Sequence, residues 1–77
     1  MFATQYKMIG ARIVYYRKIR GMTQEYLAEM VGISPQYLSK IENGNYSKSV
    51  SFSVLMRIAE KLNVKIEKLV HDIDSGE

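Results

Sequence analysis

The most constraining stretch of this chain runs from Thr23 to Gly44. It reads Thr-Gln-Glu-Tyr-Leu-Ala-Glu-Met-Val-Gly-Ile-Ser-Pro-Gln-Tyr-Leu-Ser-Lys-Ile-Glu-Asn-Gly. Thr23 and Ser34 are hydroxyl residues standing just before helical patterns, where a side-chain oxygen can take a free amide of the first turn. Pro35 falls at the first position of the second pattern, where its missing amide hydrogen does no harm. Gly32 sits between the patterns and Asn43-Gly44 ends the second, both signals for helix termination. The stretch therefore predicts two short helices joined by a tight turn. Leu27, Ala28 and Val31 form the inner face of the first, with Glu25 and Glu29 outside. Leu38 and Ile41 form the inner face of the second.

The flanking sequence continues the helical pattern. A first helix is expected from about Gln5 to Arg20, with Ile9, Ile13 and Tyr16 inward. Gly10 inside it disfavours helix by about 1 kcal/mol relative to Ala, which implies close packing by a neighbour. Gly21 should end it in a left-handed cap, with Met22 plugging the core. Residues 45–50 read as a polar loop. Ser51 should cap a fourth helix over Phe52 to Leu62, with Phe52, Leu55, Ile58, Ala59 and Leu62 inside and Asn63 as its break. Val64 should pack inward, and a short fifth helix is expected from about Lys65 to Val70 with Ile66 and Leu69 buried. No stretch reads as a strand. The expected architecture is an all-α, compact five-helix bundle. Residues 1–71 should form one domain, followed by a short, frayed acidic tail over 72–77.

Composition narrows the functional classes. With no cysteine among 77 residues, disulfides and thiolate metal sites are excluded. No apolar run is long enough to span a bilayer, and the first residues lack a signal peptide's apolar stretch. A cytoplasmic protein is expected. Residues 1–50 hold seven lysines and arginines against three glutamates, a balance of +4, while residues 51–77 hold four against five, a balance of −1. The basic half is the half with the paired helices, as a phosphate-binding surface would require. His71 has no second ligand at metal spacing and reads as a surface residue. No nucleophile–base pair, glycine-rich phosphate loop or metal cluster suggests an enzyme, and no cofactor or small-molecule ligand is expected.

If Leu38 and Ile41 pin the third helix, then Gln36, Tyr37 and Lys40 share its outer face, with Ser39 at the edge. Glutamine can bond adenine through two edge atoms, lysine can donate to guanine acceptors or to phosphate, and tyrosine can meet a thymine methyl or the backbone. Two helices at a steep angle, the second presenting such a face, form a helix-turn-helix suited to the DNA major groove.

Gln24, Ala28, Gly32, Leu38 and Ile41-Glu42-Asn43-Gly44, with Ile9-Gly10, Ile13 and Arg17 before them and Leu55, Ile58-Ala59 and Leu62 after, resemble the Cro/C1-type (XRE) helix-turn-helix family. The resemblance covers about residues 8–70 and implies a lambda-repressor-like fold. It implies that Gln36 and Lys40 meet bases, and that Gln24, Asn43, Tyr46, Ser47 and Lys48 meet phosphates, Gln24 also bracing the third helix; Tyr37 and Ser39 join the base-contact candidates, Tyr37 with the backbone as its alternative, and Ser34 joins the phosphate candidates. It further implies a structural salt bridge between Arg17 and Glu42. Two positions depart from the pattern. Pro35 stands where lambdoid repressors place a base-reading glutamine, so that readout is absent or moves to Gln36 and Ser34. Lys65 replaces a small capping residue, so the fifth helix should begin raggedly.

The expected function is sequence-specific binding of double-stranded DNA by a transcriptional regulator, a repressor occupying a palindromic operator. One module of this size presents little surface, so a homodimer on half-sites about 34 Å apart is expected. Its interface should come from the fourth and fifth helices, where Val54, Ile66 and Val70 would be exposed, or from Phe2 and the N-terminal tail. Regulation should come from concentration, a partner protein or turnover. Tyr6, Tyr15 and Tyr26 are candidates for a partly exposed patch. The alternative is a protein-interaction module, such as an antitoxin or adaptor, whose DNA binding is secondary.

Overall fold

Three hydroxyls set three helix starts. Thr23 Oγ1 accepts from the Tyr26 amide at 3.0 Å, Ser34 Oγ from the Tyr37 amide at 3.0 Å and Ser51 Oγ from the Val54 amide at 3.2 Å. Each satisfies one of the orphan donors of a helix N-terminus. The computed structural model describes residues 3–45 and 50–71, and these form five helices and no strand. They are α1 (Ala3–Ile19), α2 (Gln24–Val31), α3 (Pro35–Asn43), α4 (Phe52–Leu62) and α5 (Glu67–Val70). The acidic tail expected over 72–77 lies outside the described residues, as does Phe2.

The turn between α2 and α3 depends on Gly32, whose φ of 87° lies where a side chain is strained. Its amide and that of Ile33 both bond the Ala28 carbonyl, closing the helix end in two short bonds. Asn63 ends α4 in the same left-handed region, at φ 59°, a conformation asparagine tolerates better than other residues with a side chain.

One hydrophobic cluster joins all five helices. Ile9 and Ile13 come from α1, Leu27, Ala28 and Val31 from α2, Leu38 and Ile41 from α3, Val54, Leu55, Ile58, Ala59 and Leu62 from α4, and Leu69 from α5. Tyr16, Met22 and Val64 pack at its margin. α1 lies broadly against α3. The contact is close because Gly10 has no side chain: a Cβ there would collide with the backbone carbonyls of Ile41 and Glu42.

The structure corrects the expectations in three places. α1 begins at Ala3 and ends at Ile19, slightly earlier at both ends. In α4, Val54 is buried and Phe52 is exposed. The two residues flank the apolar stripe on opposite sides, and periodicity alone does not choose between them. α5 starts at Glu67 rather than Lys65. No side chain caps it, and it is entered through i→i+3 bonds from Lys68 to Lys65 and from Leu69 to Ile66. Ile66 is half-buried, not fully buried, because it precedes the helix. Beyond these corrections, Arg20, exposed just past α1, bonds the end of α4. Its Nε donates to the Leu62 carbonyl at 2.8 Å and its Nη2 to that of Asn63 at 3.2 Å.

Candidate nucleic-acid interface

α3 is held from behind by three residues. Leu38 and Ile41 are fully buried and Glu42 is nearly so. Burying an apolar side chain of this size stabilises by about 1.5–3 kcal/mol, so the two apolar anchors fix which side of the helix faces out. Gln36 and Lys40 are exposed on the other side, with Pro35 and Asn43 at the two ends. Ser39 and Tyr37 are half-buried. Tyr37 packs partly against the core rather than standing fully outward. Asn43 Nδ2 lies 3.5 Å from Ser39 Oγ one turn earlier, at the limit of a hydrogen bond. Ser34 is exposed, its hydroxyl already accepting as the N-cap. Tyr46, Ser47 and Lys48 lie outside the described residues.

The anchoring of α3 is polar as well as apolar. Arg17 Nε donates to Glu42 Oε2 at 2.7 Å and Nη2 to Oε1 at 3.1 Å, a paired bond from a planar guanidinium to a carboxylate. The third nitrogen, Nη1, donates to the Met22 carbonyl at 2.9 Å. From the start of α2, Gln24 Nε2 donates to Glu42 Oε1 at 2.9 Å. Glu42 is thus the point where α1, α2 and α3 are tied together. A buried charge so paired and hydrogen-bonded is tolerated; left alone it would be costly. The result is a rigid short helix with a polar face presented to solvent.

Two residues with structural roles were not legible in the sequence. Arg12 Nη1 donates to the His71 carbonyl at 2.6 Å and lies 3.4 Å from that of Leu69, closing the C-terminal end of α5. Arg20 does the same for α4. Cations at helix C-termini satisfy free carbonyls and oppose the negative end of the dipole. Their partners lie 57–59 and 42–43 residues away along the chain, beyond any local pattern. Of the α1 arginines, Arg17 alone is buried against a carboxylate and so withdrawn from the basic surface that segment charges suggested.

Among the described residues no helix is long and apolar enough to cross a membrane, and no group of three or more acidic, His or Cys residues is placed to hold a metal.

Comparison with known proteins agrees with this geometry. The helix-turn-helix family model matches residues 13–69. The HTH-type transcriptional regulator SinR of Bacillus licheniformis is 37% identical over 70 residues, covering 91% of this chain and 62% of that protein. The chain therefore spans about three-fifths of the length of that relative. Among solved structures, SinR, a master regulator for biofilm formation, in complex with DNA superposes with a TM-score of 0.73 at 37% identity, covering 80% of this chain and 97% of that one. The clp gene regulator ClgR from Corynebacterium glutamicum superposes with a TM-score of 0.81 at 28% identity, covering 94% of this chain and 74% of that one. The chain belongs to the Cro/C1-type (XRE) helix-turn-helix family of DNA-binding transcriptional regulators.

Proposed function

We propose that this chain binds double-stranded DNA sequence-specifically, with α3 in the major groove, and represses transcription by occupying a palindromic operator as a homodimer. The observation that carries this reading is the pairing of faces on α3. Leu38, Ile41 and the clamped Glu42 fix its inner side, and Gln36 and Lys40 are left exposed together. The SinR structure in complex with DNA supports it, since nearly all of that chain superposes on this one.

Gln36 is the base reader, bonding adenine through its amide, and Lys40 donates to guanine or to a phosphate. Ser39 and the partly packed Tyr37 contribute at the edge of the same face. Gln24 has two amide hydrogens, of which the bond to Glu42 uses one. The other is directed to a phosphate, so the residue that braces α3 also registers it on the backbone. Ser34, Asn43, Tyr46, Ser47 and Lys48 complete the backbone contacts. Val54 is buried and Ile66 and Val70 pack partly on the core, which removes most of the dimer surface expected from them. Phe52 and Met56, one turn apart on α4 and about half exposed, replace it. The protein acts by binding rather than catalysis, in the cytoplasm.

Selection of duplexes from a random pool by the purified protein tests the reading. The expected product is an inverted repeat with half-site centres about 10 base pairs apart, bound with an affinity that falls steeply with salt. Failure to enrich any sequence would overturn it.

A further inference from the structure

α1 carries two apolar faces, and the bundle uses one. Ile9 and Ile13 enter the core, while Met8, Ala11, Tyr15 and Ile19 are exposed. Tyr15 and Ile19 are each more than half exposed, at 59% and 58%. These four positions follow i, i+3, i+7, i+11 and so form one stripe about 17 Å long at the helical rise. A surface helix ordinarily has a polar outer side. This stripe borders an open groove of about 480 Å³ between α1 and α5, lined by Arg12, Tyr15, Tyr16, Glu67 and Lys68 among others.

The charge around the stripe selects the occupant. α1 contains no acidic residue in its 17 positions. Lys7 and Lys18 flank the stripe on one side and are exposed. Lys68 borders the groove on the other, and Glu67 is the one carboxylate lining it among the described residues. A second copy of this chain would bring the same lysines against themselves, and like charges across an interface oppose association. An amphipathic helix with apolar anchors and acidic flanks matches both the stripe and its rim. Such a helix laid along a groove is a common form of recognition.

We propose that the outer face of α1, with the adjoining groove to α5, is a docking surface for an acidic amphipathic helix of a different protein. The stripe lies on the side of α1 turned away from the residues that pack toward α3, and Lys7 at its rim adjoins Gly44 at the end of α3. The proposal goes beyond the DNA-binding reading and stands or falls without it.

The test uses the full chain, labelled with ¹⁵N, and a designed helical peptide with leucines at i, i+3 and i+7 flanked by glutamates. The expected result is saturable binding that shifts the amides of Met8, Ala11, Tyr15, Ile19 and Lys68. A peptide with lysines in place of the glutamates should bind at least about tenfold more weakly. The Tyr15→Ser/Ile19→Ser variant should lose at least about tenfold in affinity while keeping its helical circular-dichroism spectrum and its binding to selected DNA, since both side chains are more than half exposed. Shifts confined to α3 or α4, equal binding of both peptides, or an unaffected variant would overturn the proposal. So would loss of self-association in that variant, or binding that appears only after removal of residues 72–77, because each assigns the stripe to a different occupant.

Discussion

The arginines of α1 and the exposed side chains of α3 are equally polar in sequence, yet they act in opposite directions. Arg12, Arg17 and Arg20 reach inward to carbonyls and a carboxylate of distant segments, and they hold the bundle together. Gln36 and Lys40 are exposed on a short, tightly anchored helix, and among the described residues their side chains form no hydrogen bond. The same contrast separates structure from function across the molecule. A count of charge by segment gives +4 for residues 1–50, but three of those seven cations are committed to the fold. Arg17 and Glu42 cancel each other within that count, while Arg12 and Arg20 keep their charge but are held at helix ends.

This contrast can be broken most severely at Arg17. Replacing it with Ala leaves Glu42 buried with Gln24 as its one remaining side-chain partner among the described residues. A loss of about 3–5 kcal/mol is expected, large enough to lower the melting temperature of a domain this small by well over 10 °C at about 4–8 °C per kcal/mol. The Arg17→Ala/Glu42→Ala double variant should melt higher than Arg17→Ala alone, because it removes the stranded charge. Thermal melts followed by circular dichroism check the order. A double variant less stable than the single would mean that the pair does not act as a unit.

Gly10→Ala gives the next effect. Helix propensity favours alanine by about 1 kcal/mol. Here the added Cβ meets the carbonyls of Ile41 and Glu42, which cannot move without moving α3. Overpacking of this kind costs about 1–3 kcal/mol, so the net change should be a fall in stability, with weaker DNA binding as α3 shifts. A rise in melting temperature would show that α1 and α3 are less closely joined than described.

Lys40→Ala should have the smallest effect on the fold, within about 0.5 kcal/mol, as for most exposed positions. Its effect should fall on DNA. If Lys40 meets phosphate, the slope of log affinity against log salt becomes shallower by about 1. If it meets guanine, the preference at one base pair relaxes instead. Salt titrations on selected and random duplexes separate the two.

Much of the fold was legible because its signals are local. Thr23, Ser34 and Ser51 cap the helices they precede, Gly32 and Asn63 stop helices as their residue types suggest, and Leu38 with Ile41 identifies the inner side of α3. Gly10 pointed to a close neighbour before the neighbour was known. What escaped the sequence depends on distant partners. The choice between Phe52 and Val54 at the margin of α4 is settled by what surrounds that helix. Arg12 and Arg20 find helix ends more than 40 residues away. The apolar outer stripe of α1 was visible in part through Tyr15, but its extent needed the orientation of the whole helix. At the candidate site, the split of α3 into an anchored and an exposed side was readable, whereas the partial burial of Tyr37 was not, because it depends on the depth of the adjoining core.

The most direct test of the central claim is the affinity of wild-type and Gln36→Ala protein for a selected duplex and for random duplex at the same salt. The account predicts a loss of about 1–3 kcal/mol on the selected sequence and almost none on random DNA. Equal losses on both, or no loss on either, would contradict the claim that the exposed side of α3 reads bases.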